Sequence, residues 1–201
     1  MRGRMPKTIG IVLLAAGQGT RFGVAPKMLG LLDGKPLVRH AAEAAVAAAC
    51  GSIAVVLGAH AVAVREALSG LDVRFVDNPA YAEGLSSSLR CGMDALPDVA
   101  GAIVMLGDMP RIRAMHLRSL VEVFQARDPA PAAIVPIHRG LRGNPVLLNR
   151  HLLGRDLAAL TGDHGAGRIL AARQDIVELE MDAAVAFDID TRAALMDAAR
   201  G

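Results

Sequence analysis

The chain has 201 residues, 53% of them hydrophobic and 21% charged, with a formal net charge of +2. That length suits one globular domain burying roughly 70% of its unfolded surface, without help from disulfides or a structural metal. The apolar content excludes disorder, the dispersed cations argue against a duplex-DNA binder, and 2% aromatics with no Trp leave no stacking platform for single-stranded nucleic acid.

The chain starts with a positive stretch, Met1-Arg2-Gly3-Arg4. The apolar run behind it, 9–16, is short and has no small-residue cleavage context, which argues against a signal peptide. No stretch reaches the ~18 apolar residues of a membrane span. Cys50 and Cys91 lie far apart, outside any C-x-x-C spacing, against a zinc site or a secreted disulfide scaffold. The expectation is a soluble cytoplasmic protein without a nucleic-acid or membrane partner.

Apolar runs rich in Val, Ile and Leu predict strands at 8–14, 52–57, 73–76, 102–106 and 133–136. Continuous runs, rather than alternation, suit strands covered on both faces. Helical patterns lie between them at 36–49, 61–68, 86–96 and 114–126, with Pro36 in a first helical turn. Beyond them come a candidate antiparallel strand at 144–148, helices near 150–160 and 165–173, a strand at 176–179 and a last helix from Thr191. The alternation predicts an α/β domain with a mostly parallel sheet.

The most informative segment follows the first strand: Leu14-Ala15-Ala16-Gly17-Gln18-Gly19-Thr20-Arg21-Phe22-Gly23-Val24-Ala25-Pro26-Lys27. Gly17, Gly19 and Gly23 let the backbone take positive φ and present its N–H groups as an anion nest. Arg21 and Lys27 add two cations, so the loop reads as a polyphosphate cradle. The plainer alternative is a strand-to-helix turn with solvated cations. The G-x-G-x-x-x-G spacing, Pro26 and the absence of an acid after Leu57 argue against a dinucleotide fingerprint. Gly34-Lys35-Pro36 lacks the spacing and the hydroxyl of a Walker loop.

Leu-Ala-Ala-Gly-x-Gly-x-Arg-x-Gly followed by Pro-Lys resembles the nucleotidyltransferases of the molybdopterin and sugar-nucleotide type. Further segments resemble the signature of molybdenum cofactor cytidylyltransferases, and together they run through most of the chain. They are 78–89 (Asn-Pro-x-Tyr-x-Glu-Gly-Leu-Ser-Ser-Ser-Leu), Gly107-Asp108-Met109-Pro110, Arg142-Gly143-Asn144-Pro145, Gly162-Asp163-x-Gly165-Ala166 and Asp188-Ile189-Asp190-Thr191. Ala15-Ala16-Gly17 resembles the cytidylyl-transferring members, where guanylyl relatives carry Ala-Gly-Gly. One departure is visible: the family has Arg soon after Gly-Asp-x-Gly-Ala, where this chain has Gly167 and then Arg168.

The resemblance implies a single Rossmann-like three-layer domain of the nucleotide-diphospho-sugar transferase type, with helices on both faces of the sheet. Residues 1–110 would form a nucleotide-binding half and 111–201 an acceptor-binding half. It implies Mg²⁺-dependent transfer of CMP from CTP to the phosphate of molybdopterin. An apo molybdenum hydroxylase of the xanthine dehydrogenase type would be the partner. Transfer to a sugar phosphate or methylerythritol phosphate, use of GTP, and a catalytically silent molybdopterin carrier are the alternatives.

Arg21 and Lys27 are the expected catalytic cations. Leu14, Ala15, Ala16, Gly17, Gly19 and Gly23 are expected at the nucleotide, with Ser86, Ser87 and Ser88. At least one of these serines reads equally as a helix N-cap. Ser88, four residues before Gly92, matches the spacing that similar cytidylyltransferases use at the base. Asp108 ends an apolar strand, where open α/β sheets bind ligands. The resemblance implies that Asp108 and Asp190 hold Mg²⁺, a hard cation that takes oxygen ligands. Asp108 reads otherwise as a turn residue and Asp190 as an N-cap beside Thr191; Asp188 is a weaker ligand candidate. His138, Arg142, Gly143 and Asn144 are expected at the acceptor, with an exposed hairpin as the alternative. The remaining histidines have no ligand spacing, and Cys91 reads as a packed thiol.

Overall fold

The computed structural model describes residues 8–19, 22 and 26–200. Its elements in chain order begin with β1 (Ile9–Ala15), β2 (Leu31–Leu32), β3 (Lys35–Pro36), α1 (Leu37–Ala48), β4 (Ile53–Leu57), α2 (Ala61–Ala67), β5 (Arg74–Asp77) and α3 (Leu85–Asp94). There follow β6 (Gly101–Leu106), α4 (Ala114–Ala126), β7 (Ala133–His138), β8 (Leu141–Arg142), β9 (Val146–Asn149), α5 (Arg150–Ala158), α6 (Ala166–Leu170), β10 (Ile176–Glu180) and α7 (Arg192–Ala198).

The main sheet runs β10-β7-β9-β6-β1-β4-β5, with β8 added to β7. The pairs β1–β4, β1–β6, β4–β5 and β7–β10 are parallel, while β9 runs antiparallel to both β6 and β7. Strand periodicity sends alternate side chains to opposite faces. Ile11, Leu13, Val55, Ile103 and Met105 pack against α1, α2 and α4. Val12, Leu14, Val56 and Val104 pack against α3, α5 and α6. Both faces of the central strands β1, β4 and β6 are covered, which is why these strands read as unbroken apolar runs. The result is the single three-layer α/β domain with a mostly parallel sheet that the sequence predicts.

Close packing on the second face depends on Gly92. A Cβ there would stand 2.3 Å from Val12 Cγ1 and 2.9 Å from Val56 Cγ2, so only glycine lets α3 sit down on β1 and β4. One local expectation changes. Pro36 stands before α1, at its N-cap, rather than in the first helical turn. The β2–β3 hairpin, turning at Asp33 (φ 51°) and Gly34 (φ 75°), precedes it. After β7 the chain turns back through β8, which pairs with β7, so part of the polar stretch is a hairpin while Gly143 and Asn144 beyond it are half-buried.

The last segment crosses the sheet's carboxyl end. After β10 a short 3₁₀ turn, Ala183–Ala186, leads into Phe187-Asp188-Ile189-Asp190 and α7. Ile189 is fully buried against Phe22, Leu32 and Leu37. No helix among the described residues is long and apolar enough to cross a membrane.

Candidate active site

The chain leaves β1 toward β4 on one side and later returns as β6 on the other. Ligands in open α/β sheets settle at such a switch point, beyond the strands' carboxyl ends. A cavity of about 570 Å³ lies there. Its floor is Leu14, Ala16 and Leu106; the 17–19 loop, Lys27, Tyr81, Ser88, Asp108, Asp163, Asp188 and Asp190 form its walls.

Three charges from distant parts of the chain meet in it. Asp108 follows β6; its carbonyl accepts a hydrogen bond from the Ile189 N–H at 3.1 Å, which ties the crossing segment to the strand end. With Ile189 turned into the core, Asp188 and Asp190 on either side of it both line the cavity. Lys27 opens a short 3₁₀ turn, Lys27–Leu29, anchored by buried Met28. Its Nζ donates to Asp108 Oδ2 at 2.5 Å and to Asp190 Oδ1 at 2.8 Å. The side chains of Lys27 and Asp108 are only 13% and 9% exposed, that of Asp190 37%. Burial opposes the Lys27 charge, but the Asp108 and Asp190 carboxylates outweigh it and hold the ammonium above the usual lysine range. Burial, with Asp190 and Asp108 nearby, pushes the Asp188 carboxyl up. Thr191, not Asp190, caps α7, its hydroxyl accepting from Ala194 N–H at 3.1 Å.

Gly17 and Gly19 line the cavity with the Lys27 stem behind them. Gly19 has φ +63°, and a Cβ there would meet Lys27 Cβ at 2.8 Å, so this position needs glycine on two counts. Leu14 and Ala16 face the cavity, whereas Ala15 turns into the core on the α1 face. Arg21 and Gly23 lie outside the described residues.

The three serines separate. Ser88 lines the cavity, and Asn78 Nδ2 donates to its Oγ at 3.1 Å. Ser87 is occupied structurally: it accepts from Asn78 Nδ2 at 2.9 Å and lies 2.8 Å from the Ala80 carbonyl and 2.9 Å from that of Gly84. Ser86 is buried and its Oγ has no partner among the described residues. None of the three caps α3. Gly84 holds that position, and the Ser86 N–H donates to Gly162 O at 3.1 Å, a partner that local spacing does not reveal.

A second, mostly apolar cleft of about 260 Å³ shares Leu14, Leu85 and Leu106 with the first. Arg142, Gly143 and Asn144 line it. Gly143 and Asn144 are pinned by hydrogen bonds from their N–H groups to Pro136 O and Val185 O, at 2.8 and 2.9 Å. Arg142 Nε donates to Glu178 Oε1 at 2.8 Å, so its charge is already partnered. His138 lines neither cavity; its Nδ1 lies 2.9 Å from Met181 O. Arg168, on α6, is exposed and lines neither.

Residue-by-residue reading of the sequence missed Tyr81, Asp163 and Leu85 as cavity walls and Asn78 as the tether of Ser88. All four lie in the quoted motifs, which is the signal that could have found them.

The donor set suits a hard divalent cation. Asp108 and Asp190 each present an oxygen to one ammonium, and Asp108 Oδ1 is buried without a hydrogen-bond partner among the described residues. No group of three or more His, Cys, Asp or Glu side chains converges as a ready cage among those residues. A cation here would be held by two carboxylates and completed by water or phosphate oxygens, the ordinary manner of Mg²⁺.

Residues 11–177 match the MobA-like NTP transferase domain, and the chain belongs to that family of nucleotidyltransferases. It is 31% identical to nicotine blue oxidoreductase of Paenarthrobacter nicotinovorans over 185 residues, 90% of this chain and 91% of that one. It is 39% identical to the bifunctional protein GlmU of Chromohalobacter salexigens over 121 residues; that match takes 60% of this chain and about a quarter (26%) of the longer protein. The crystal structure of Rv0371c from Mycobacterium tuberculosis H37Rv superposes with a TM-score of 0.84 at 27% identity, covering 98% of this chain and 100% of that one. A manganese complex of the same protein superposes at 0.78, with 29% identity over 96% and 99% of the two chains.

Proposed function

We propose that the protein transfers CMP from CTP to the phosphate of molybdopterin, giving molybdopterin cytosine dinucleotide and pyrophosphate. An oxygen of the acceptor phosphate forms a bond to the α-phosphorus of CTP. The bond from that phosphorus to the α,β-bridging oxygen breaks, and pyrophosphate leaves with the electron pair. Such transfer calls for positioning and charge stabilisation rather than an acid–base pair.

The observation that carries the reading is the meeting of Lys27, Asp108 and Asp190 beside the glycine loop, at the ends of β1 and β6. The Gly17–Gly19 amides, with Arg21, bind the β- and γ-phosphates. Lys27 neutralises charge gathering on the α-phosphoryl oxygens. Asp108 and Asp190 hold Mg²⁺, which supplies positive charge shared by both reacting phosphates; the manganese complex of the Mycobacterium relative supports a divalent cation. Ser88, tethered by Asn78, contacts the cytosine edge. The apolar cleft with Arg142, Gly143 and Asn144 takes the ring system of the acceptor, so the acceptor site rests on these three rather than on His138. An apo molybdenum hydroxylase of the xanthine dehydrogenase type receives the product.

The relative whose match spans 90% of the chain is called nicotine blue oxidoreductase, which favours a second reading in which this fold does redox chemistry. One assay separates the readings: pyrophosphate release with each nucleoside triphosphate, against molybdopterin, a sugar phosphate and methylerythritol phosphate. Release confined to CTP with molybdopterin is the expected result. Release with another acceptor or with GTP moves the protein within its class. No release with any pair overturns the transferase reading in favour of a carrier or a redox protein.

A further inference from the structure

A divalent ion joining Asp108 and Asp190 would have to stand close to where an ammonium group already stands. Lys27 Nζ is 2.5 Å from Asp108 Oδ2 and 2.8 Å from Asp190 Oδ1, one oxygen of each carboxylate. Two cations do not sit comfortably on those same two oxygens, because at such separations they repel each other. The exchange needs no backbone movement. The turn that carries Lys27 is fixed by the Leu29 N–H to Pro26 O bond at 3.0 Å and by buried Met28. The four-carbon stem is flexible, and the cavity it borders offers about 570 Å³ into which the ammonium can swing.

Leaving is costly unless the ammonium finds another strong anion, since it would give up two short contacts, one to a buried carboxylate and one to a partly exposed one. A triphosphate seated on the 17–19 loop is such an anion. We propose that Lys27 is the resident cation of the metal site, and that a divalent ion is admitted only as Lys27 passes from the carboxylates to bound nucleotide phosphate. The inference rests on the metal role of Asp108 and Asp190 given above. Metal and nucleoside triphosphate then bind cooperatively, each raising the affinity for the other by the same factor. The lysine reaches the phosphates in the same event that loads the metal, so the full set of charges assembles only around substrate. Asp108 Oδ1 is buried without a partner among the described residues, so no hydrogen bond has to be given up for this carboxylate to take a cation.

The test uses Mn²⁺ as the probe, with free Mn²⁺ followed by electron paramagnetic resonance, first without nucleotide and then with CTP in the absence of acceptor. Wild type should bind Mn²⁺ weakly alone and more tightly with CTP. Lys27→Met should bind Mn²⁺ alone about 10- to 100-fold more tightly than wild type, because two carboxylates are left without their cation. Its gain on adding CTP should shrink by the same factor. Lys27→Arg, which keeps a cation between the carboxylates, should stay weak, and Lys27→Gln replaces the Met variant if that one does not fold. Unchanged or weaker Mn²⁺ binding in the neutral variants, or tightening in Lys27→Arg, overturns the inference. In that event loss of Mn²⁺ binding in Asp108→Asn leaves the metal site itself standing. Mn²⁺ binding by Asp108→Asn as tight as that of wild type overturns both.

Discussion

Lys27 and Asp190 are separated by 163 residues of chain and by 2.8 Å in space. The contact depends on Ile189, whose burial against Phe22, Leu32 and Leu37 draws the end of the chain across the mouth of β1 and β6. One apolar side chain thus decides where a cavity-lining carboxylate lies.

Lys27→Ala should lower kcat by ~10²–10³-fold, the usual loss for one charge stabiliser used in the transition state. KM for CTP should change far less. Tighter metal binding in the variant would not restore the rate, because the charge proposed to act on the phosphoryl oxygens would still be missing. Steady-state pyrophosphate release checks this, and wild-type kcat would sink the assignment.

Asp108→Asn should remove activity and metal dependence together. The substitution keeps the shape of a buried side chain and leaves its backbone bond to Ile189 intact. A variant that turned over with an unaltered metal optimum would show that the carboxylate is not a ligand.

How far the sequence could be read depended on the range of the forces involved. Alternating burial of Ile11 and Leu13 on one face and Val12 and Leu14 on the other is a local pattern, so the strands and layers were legible. The serines were not, because Ser86 gives its N–H to Gly162 and Ser87 its hydroxyl to Ala80, contacts set by tertiary packing. Asp108 was legible from its strand end. That Asp188 and Asp190 face the same cavity became visible only once Ile189 had a pocket to fill. The turn signal Asp33-Gly34 was present but hidden behind a reading of Pro36 as a helical residue.

Gly92→Ala should destabilise the fold by lifting α3 from β1 and β4. Its methyl would press on Val12 Cγ1 at 2.3 Å, against a stiff β-branched side chain in a strand. Overpacking of this kind costs ~1–3 kcal/mol. For a chain of this size each kcal/mol lowers Tm by about 2–4 °C. Calorimetry should show that drop, and an unchanged Tm would show that α3 accommodates the methyl without strain.

Asp182 links stability to acid. Its carboxylate accepts from the Ala184 N–H at 3.0 Å, and Arg113 and His116 of the α4 terminus reach Oδ2 at 2.9 and 3.3 Å. The Ala184 bond, then His116 and Arg113, hold this carboxyl below the usual aspartate range. A depressed folded value means a stabilisation fully present above about pH 4 and lost as pH falls through the folded pKa. The side chain is 49% exposed, so the ion-pair part is worth below about 1 kcal/mol. Asp182→Asn should lower Tm slightly at pH 7, and the two proteins should converge toward pH 2. A difference that persisted in acid would assign the effect to shape rather than charge.

The proposed preference for CTP would be set by a methyl group. Ala16 is buried, lines the cavity, and is held in place by the bond from the Ala59 N–H to its carbonyl at 3.3 Å. It stands where guanylyl relatives carry glycine. A pyrimidine leaves room for the methyl, while a purine would press on it or be displaced. The penalty in a tight site is ~1–3 kcal/mol, or about five- to a hundred-fold in selectivity. Ala16→Gly should therefore raise kcat/KM for GTP relative to CTP by a factor in that range. Preference for CTP need not vanish, because Ser88 remains fixed by Asn78 at the cavity wall. Measuring kcat/KM for both nucleotides in both proteins decides the matter. An unchanged ratio would remove Ala16 from base selection and leave it to the Asn78–Ser88 pair, which Ser88→Ala would then expose as a loss confined to CTP.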